Sequence, residues 1–373
     1  MTRSSRRLSI GVLFGGRSAE HEVSLVSAAS IIKALDKKKY KVVPIGIAPD
    51  GTWRTAPDLL ARMTARKSVA RIPACSLSLD PGKSGIVTER GTIRIDCFFP
   101  VLHGTFGEDG AMQGLFELAG IAYVGSGVLG SAAGMDKIVT KQLCEYAGIA
   151  VAPYVWFATG LSARERAAVV ARIERELAYP VFVKPANSGS SVGISKVADR
   201  AGLAKAFRLA ARYDRRILVE RGIEQAREIE VSVLGNERPV ASVPGEIVSS
   251  NEFYDYDAKY VDGKSVAVIP AKLPARLRRS IMDQAVRSYR AIDAAGLARV
   301  DFLVSKRTGK VLLNEINTLP GFTSISMYPK LWEASGIPYA RLLDRLIGLA
   351  RERHKRTSGL QRFFTPKADW FAS

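Results

Sequence analysis

Residues 298–317, ARVDFLVSKRTGKVLLNEIN, constrain the fold more than any other stretch of the chain. Two apolar runs flank a short polar segment, which is the pattern of a β-hairpin. Side chains alternate along a strand, so Glu315 and Asn317 share a face, as do Arg299 and Asp301. Centring the pairing on Thr308 sets Asp301 opposite Glu315 and Arg299 opposite Asn317, all on one face. That face offers three oxygen donors, with no sulfur or imidazole. Such a set suits Mg²⁺, which keeps waters and takes phosphate oxygens. The same four residues are equally compatible with a cross-strand salt bridge on a solvated face. Pro320-Gly321 ends the run, and a loop of that kind can turn backbone N–H groups toward an anion.

The hairpin follows a long series of alternating strands and helices, so the expected class is α/β. LSIGVLFGG reads as a strand, EHEVSLVSAASIIKAL as a helix and YKVVPIGIAPDG as a second, parallel strand. Residues 54–90 read as irregular and basic. SAAGMDKIVTKQLCEYAG reads as one helix with a glycine stop. The expected units are an N-terminal α/β domain over 1–139, a central α+β unit over 140–220 and a second α+β unit over 221–348. A basic tail over 349–373 has no clear apolar period and is expected to lack structure.

Composition narrows the function classes. A chain of 373 residues is long enough for two or three cores. No apolar run is long enough to span a bilayer, and the basic N-terminus runs into a Gly-Gly turn rather than a cleavage site. Cys75, Cys97 and Cys144 form no Cys-x-x-Cys pair, which fits a reducing cytoplasm. His21, His103 and His354 are too scattered for a metal cluster. The formal net charge of +19 raises nucleic-acid binding. The basic residues are spread along the chain without aromatic interleaving, however, so attraction for anionic small molecules is the preferred reading.

VFVKPANSGSSVGISKV is the second informative stretch. Lys184 ends an apolar strand, and residues 187–193 are small and rich in N–H and hydroxyl donors, suited to phosphates. The loop is neither a Walker A sequence nor G-x-G-x-x-G. Glu220, in LVERGI, falls at the expected hinge between units, a usual nucleotide position. It can accept from an adenine amino group or be an ordinary surface glutamate. His103 ends a strand at the edge of the first domain and is open to a substrate role or a structural one.

Together these stretches resemble the D-alanine–D-alanine ligases of the ATP-grasp superfamily. GGRSAEHEVSL, LHGTFGEDGAMQG, GMDK, FVKPANSGSSVGISKV, REIEVSVLG, FYDYDAKY, RVDFLV and NEINTLPGFTSISMYP occur in the family's order, over about residues 8–348. The resemblance implies an ATP-grasp fold whose two α+β units clamp ATP. It implies that Lys137, Lys184, Phe182, Ser191, Glu220, Glu228, Lys259 and Asn314 bind the nucleotide. Asp301, Glu315 and Asn317 would hold two Mg²⁺ or Mn²⁺ ions. Glu20, just inside the first helix, would meet the first D-alanine's ammonium. Ser326, with His103 and Met327, would serve the substrate, Ser326 taking the second carboxylate. Arg299 and the Gly321 N–H would stabilise the oxyanion, and Glu20, Ser190 and Tyr260 would form a hydrogen-bonded set tying down a lid. The implied reaction runs through an acyl phosphate, serves peptidoglycan precursor synthesis, and belongs to a cytoplasmic homodimer that binds neither nucleic acid nor membrane. A D-alanine–D-lactate ligase, or another ATP-grasp carboxylate–amine ligase, is the alternative, and Tyr260 argues against the former. A basic nucleic-acid-binding protein on an ATP fold is the other alternative, and the 301/315/317 set argues against it.

Overall fold

The computed structural model describes residues 6–223, 225–248, 266–323 and 325–362. Lys259 and Tyr260, with the rest of the expected lid NEFYDYDAKY, lie outside the described residues.

The first unit begins with β1 (Leu8–Gly15), α1 (His21–Ala34), β2 (Tyr40–Ile47), β3 (Trp53–Thr55) and α2 (Leu59–Thr64). A small antiparallel sheet follows, of β4 (Ser76–Leu77), β5 (Gly85–Thr88) and β6 (Gly91–Arg94), and then β7 (Cys97–Pro100). Residues 54–90 are therefore not wholly irregular. They contain α2 and two strands of that small sheet, elements too short to leave a period in the sequence. The main sheet has the order β3-β2-β1-β7, with β1 parallel to both neighbours. Ile10, Val12, Leu13 and Phe14 of β1 are fully buried because both faces of the sheet are covered.

Three helices close the unit: α3 (Ala111–Leu118), α4 (Val128–Met135) and α5 (Lys137–Tyr146). The single helix expected over residues 131–148 is thus two. Asp136 leaves the helical region at φ −83° and ψ 105°, and its carboxylate caps the N–H groups of Ile138 and Val139. An aspartate that caps a new helix competes with continuing the old one. The break makes Lys137 the first residue of α5.

The central unit contains β8 (Tyr154–Ala158), α6 (Ala163–Glu176), β9 (Val181–Pro185), β10 (Ser195–Val197), α7 (Arg200–Ala210) and β11 (Arg216–Arg221). Its antiparallel sheet runs β10-β9-β11-β8. Ser162 and Glu165 form a reciprocal capping box that starts α6.

The last unit contains β12 (Ala226–Gly235), β13 (Val240–Ala241), β14 (Gly245–Val248), β15 (Val266–Val268), α8 (Ala275–Ala291), β16 (Gly296–Ser305), β17 (Val311–Asn317), α9 (Met327–Ala334) and α10 (Tyr339–Ser358). Its sheet runs β15-β14-β12-β16-β17, with β13 on β12. Ile281, Ala285, Ser288 and Tyr289 face the sheet from α8 at helical spacing.

The hairpin register repeats the expected pairs, Arg299 with Asn317 and Asp301 with Glu315, but by an irregular route. Nearer the turn, Phe302 pairs with Leu313 and Leu303 with Leu312. The ladder slips by one residue between Asp301 and Phe302, which leaves Asn314 as the extra residue of a bulge. Asn314 and Glu315, though adjacent, both line the same cavity. Strict alternation would have sent them to opposite faces.

Packing joins units that the sequence separates. Ile10 and Val12 of β1 share one core with Leu342, Leu343, Leu346 and Ile347 of α10. Residues 140–151, grouped above with the central unit, bury Cys144, Ile149 and Val151 against the last sheet instead. The tail expected to lack structure from residue 349 is helical as far as Ser358. Arg353 lies over the Tyr123 ring at 4.2 Å and 3.7 Å from the Glu117 carboxylate. A basic stretch with so few apolar residues shows no helical period, and its docking partners lie some 230 positions away. No helix among the described residues is long and apolar enough to cross a membrane.

Candidate active site

A cavity of about 660 Å³ lies between the central and last sheets. Phe182, Val248 and Leu303 give it apolar wall, while Lys137, Lys184, Glu220, Glu228 and Arg299 give it charge. β9 ends with Lys184, and the loop over 187–193 connects it to β10. Ser190 (φ 48°) and Ser191 (φ 60°) both adopt the left-handed region, uncommon for residues with a Cβ. Strain of that kind persists where the surroundings fix it. Here Lys137 Nζ donates to Ser188 O at 2.5 Å and the Lys137 N–H to Ala186 O at 3.0 Å. The start of α5 is thereby clamped to the loop.

Glu220 is not a surface residue. It is 4% exposed, with Lys184 Nζ 2.6 Å and Lys141 Nζ 2.5 Å from its two oxygens. Burial by itself would raise its pKa, but the two ammonium groups outweigh it and hold the carboxyl at about 2. Burial likewise pulls Lys184 down, and Glu220 reverses the effect, leaving its pKa raised.

On the hairpin, Arg299 binds Asp301 in two-pronged fashion, Nε and Nη2 donating at 2.7 and 2.6 Å. Nε also lies 3.1 Å from Glu230. Burial would lower the guanidinium's pKa, but Asp301 and Glu230 overcome it and raise it far above its usual value. Glu230 pairs with Asp301 across β12 and β16, and Asp301 with Glu315 across β16 and β17. Three carboxylates thus gather about one guanidinium, an all-oxygen excess of negative charge that suits a hard divalent ion. Among the described residues, no three His, Cys, Asp or Glu side chains stand ready to hold a metal. Asp301 and Glu315 would need amide, water or phosphate oxygens to complete a shell. Asn317 offers such an oxygen, which already accepts from the Leu319 N–H at 3.0 Å. The residues therefore fit Mg²⁺ or Mn²⁺ carried in with a nucleotide.

The end of the cleft expected to take substrate is built by the first unit. Glu20 is the N-cap residue of α1 rather than part of the helix, and it is 9% exposed. Ser190 of the loop donates a short hydrogen bond to Glu20 Oε1. Two glycines make room for that carboxylate. A Cβ on Gly104 (φ +72°) would stand 2.9 Å from Glu20 Oε2, and one on Gly189 3.0 Å from it. His103 is buried, with Nδ1 3.1 Å from Leu319 O, and burial lowers its pKa against the pull of Glu20. Ser326 stands at the N-cap position of α9 without a side-chain capping bond, and its Oγ accepts from the Thr323 N–H at 3.0 Å. The Met327 side chain packs with Ile247 and Leu331 in a small core, because it starts the buried face of α9.

The comparisons decide the family. The sequence profile described as "D-ala D-ala ligase N-terminus" matches residues 9–126, and "D-ala D-ala ligase C-terminus" matches residues 143–348. The chain belongs to the D-alanine–D-alanine ligase family. A ligase-family relative from Heliobacterium modesticaldum, named D-alanine–D-alanine ligase, is 51% identical over 95% of this chain and 98% of its own. Among solved structures, the D-alanine-D-alanine ligase of Coxiella burnetii matches with a TM-score of 0.82 at 37% identity, over 95% of this chain and 97% of that one. The VanG D-Ala:D-Ser ligase of Enterococcus faecalis matches with a TM-score of 0.84 at 36% identity, over 92% and 100%. The fold is the ATP-grasp arrangement of that family.

Three buried charged residues at or behind the cleft were missed by sequence reasoning. Glu230 could have been found, because Glu228, Glu230 and Ser232 alternate along REIEVSV as Arg299 and Asp301 do along their strand. Lys141 lies one helical turn after Lys137, a spacing that puts both on one face. Glu108 gave no signal. It is 7% exposed and accepts from the Gly104 N–H at 2.7 Å, in a loop with no period.

Proposed function

We propose that this chain joins two D-alanines into D-alanyl-D-alanine at the expense of ATP, releasing ADP and phosphate, for peptidoglycan precursors. The carrying observation is the Ser190–Glu20 contact. It sets the acid that would hold an amino acid's ammonium against the loop that would hold the nucleotide's phosphates. A carboxylate must reach the γ-phosphoryl group to be activated, and that contact brings the two sites together.

In this reading Lys137 and Lys184 balance the phosphates, and Glu220 and Glu228 serve the adenosine. The first D-alanine carboxylate attacks the γ-phosphoryl group, ADP leaves, and an acyl phosphate forms. The second D-alanine's amine attacks that carbonyl and phosphate leaves. Arg299 and the Gly321 N–H face the oxyanion, and Ser326 takes the second carboxylate. The work of the chain is alignment and charge balance in a site that excludes water. Two Mg²⁺ or Mn²⁺ ions, held by Asp301, Glu315 and Asn317, would add neutralisation of the transferring phosphoryl charge. Lys259 would reach the γ-phosphate and Tyr260 would join Glu20 and Ser190 in a hydrogen-bonded set, and a homodimer working in the cytoplasm is the expectation carried by the family resemblance.

The solved relative titled a D-Ala:D-Ser ligase keeps the second substrate as the open choice. The test is mass identification of products after incubation with ATP, Mg²⁺ and D-alanine, alone and with D-serine or D-lactate. D-alanyl-D-alanine as the main product in every mixture is the expected result. ADP release that does not depend on D-alanine would overturn the proposal.

A further inference from the structure

The ligase reading gives no task to Lys141. Lys137 and Lys141 lie one turn apart on α5 and so share a face. Lys137 reaches the phosphate loop. Lys141 points inward, its side chain 1% exposed, and its ammonium stands 2.5 Å from Glu220 Oε1 with the Tyr154 ring at 5.8 Å. Glu220 Oε2 is taken by Lys184, which lines the cavity and is more exposed, at 13%. One carboxylate therefore carries a front lysine and a back lysine. Sinking a second ammonium behind the first is costly unless its charge is matched.

We propose that Lys141 is a positioning residue for nucleotide binding, keeping Glu220 aimed into the cavity and charge-balanced when Lys184 turns to the phosphates. This rests on the ATP-dependent reading above. With no nucleotide, Glu220 spans two cations and its Oε2 is committed to Lys184. A polyphosphate competes for Lys184. As that lysine turns, Oε2 opens toward the cavity and Glu220 remains half of a neutral pair with Lys141. Base acceptor and phosphate site are then coupled through one carboxylate.

The charges around Glu220 make the alternative specific. Lys141 comes from α5, Lys184 from β9 and the Tyr154 ring from β8. Glu228 of β12 and Glu315 of β17 act on Lys184 from the opposite wall. Without Lys141, a departing Lys184 would leave Glu220 buried without either of the two ammonium groups that contact it. The carboxylate would then take up a proton as nucleotide binds, so binding would weaken as pH rises.

The experiment measures ADP affinity by calorimetry and steady-state turnover with ATP and D-alanine, for wild type, Lys141→Met, Glu220→Gln and the double variant. Lys141→Met is expected to raise the ADP Kd and the ATP KM about 10- to 100-fold, with kcat and the D-alanine KM within about threefold. The ratio of its ADP Kd to the wild-type value should grow from pH 6 to pH 8. The double variant should bind ADP no worse than Glu220→Gln, because Lys141 acts only through that carboxylate. An unchanged or pH-independent ratio, or additive losses in the double variant, would overturn the proposal. If Lys141→Met does not fold, Lys141→Gln takes its place in the same comparisons. Wild-type ADP release without dependence on D-alanine would instead sink the ligase reading, and the ADP-binding comparison would still stand.

Discussion

Glu220 at the nucleotide end and Glu108 at the substrate end are both almost fully buried, at 4% and 7% exposure. Their surroundings drive them apart. Glu220 lies between Lys141 and Lys184, which overcome burial and hold its carboxyl near pKa 2. Glu108 meets a single backbone N–H, and burial, reinforced by the charge of Glu20, raises its carboxyl well above the ordinary value. Among the described residues, every buried acid named at the nucleotide end has a cation. Glu20 and Glu108 face the substrate end with a buried His103 whose pKa is lowered. Among the described residues no cation stands in ion-pair contact with Glu20 or Glu108, and Arg299 acts on Glu108 only as a weaker, opposing charge. In the proposed reading an amino acid's ammonium would supply the matching charge, so that one end of the cleft would take anions and the other a cation.

The hairpin between the two ends should be the most sensitive place to disturb that separation. Asp301→Asn and Glu315→Gln are each expected to lower kcat at least about 100-fold, the scale of removing one charge-stabilising group. Circular dichroism should remain that of a folded protein. Dipeptide synthesis near the wild-type rate at ordinary Mg²⁺ would remove the metal role from this face.

Glu220→Gln tests the nucleotide end. It leaves Lys141 and Lys184 buried without their shared charge, at a cost of about 3–5 kcal/mol. Because the folded pKa of Glu220 is depressed below its ordinary value, the carboxylate contributes stability above about pH 4.5. That contribution fades as pH falls from there toward about 2. The variant should therefore unfold at lower temperature than wild type at pH 8, with the gap narrowing only in acid. An equal gap at pH 8 and pH 3 would show that ionisation is not the cause.

How much of this could be read beforehand depended on range. Arg299, Asp301, Glu315 and Asn317 were legible because strand alternation and a short turn place them with local information only. The bulge at Asn314 was not, since symmetric pairing about Thr308 predicts the same two pairs without it. Lys184 and its loop were legible from composition. The environment of Glu220 was not, because it needs α5, β9 and β11 brought together, and the break at Asp136 that aims Lys137 was hidden in an unbroken helical pattern. The docking of Arg353 on Tyr123 depends on a tertiary contact that no window of sequence contains.

That docking gives a third, smaller effect and asks whether the substrate end is held from outside the cleft. Asp344 of α10 accepts from Tyr40 at 2.8 Å and Lys39 at 2.7 Å, and Arg353 reaches Tyr123, so α10 ties the first unit to the last. Ending the chain after Ala350 removes Arg353 and the last two turns of α10. It should cost about 1–3 kcal/mol, seen as a lower midpoint in urea, and raise the D-alanine KM more than the ATP KM. Ending it after Ser358 should leave both unchanged. If the two truncations behave alike, the Arg353 contact does not support the substrate end.

The smallest effect is the most diagnostic, because it has the opposite sign. Glu108→Gln removes an acid whose folded pKa is raised, and the glutamine carbonyl can still accept from the Gly104 N–H. An acid of this kind costs stability as pH climbs past its ordinary value of 4.5. Over that range the unfolded chain ionises freely while the folded one resists. Wild type therefore carries a penalty at pH 8 that is absent near pH 4.5. The variant should melt about 2–4 °C higher than wild type at pH 8, and the difference should close as pH falls to 4.5. Its D-alanine KM should rise a few-fold, since one of two acids facing the ammonium is gone, and its ATP KM should not move. Set beside Glu220→Gln, the two substitutions are chemically identical and equally buried, yet one should destabilise and the other stabilise at the same pH. If both lower the melting temperature at pH 8, Glu108 is matched by a cation after all, and the contrast between the two ends of the cleft fails.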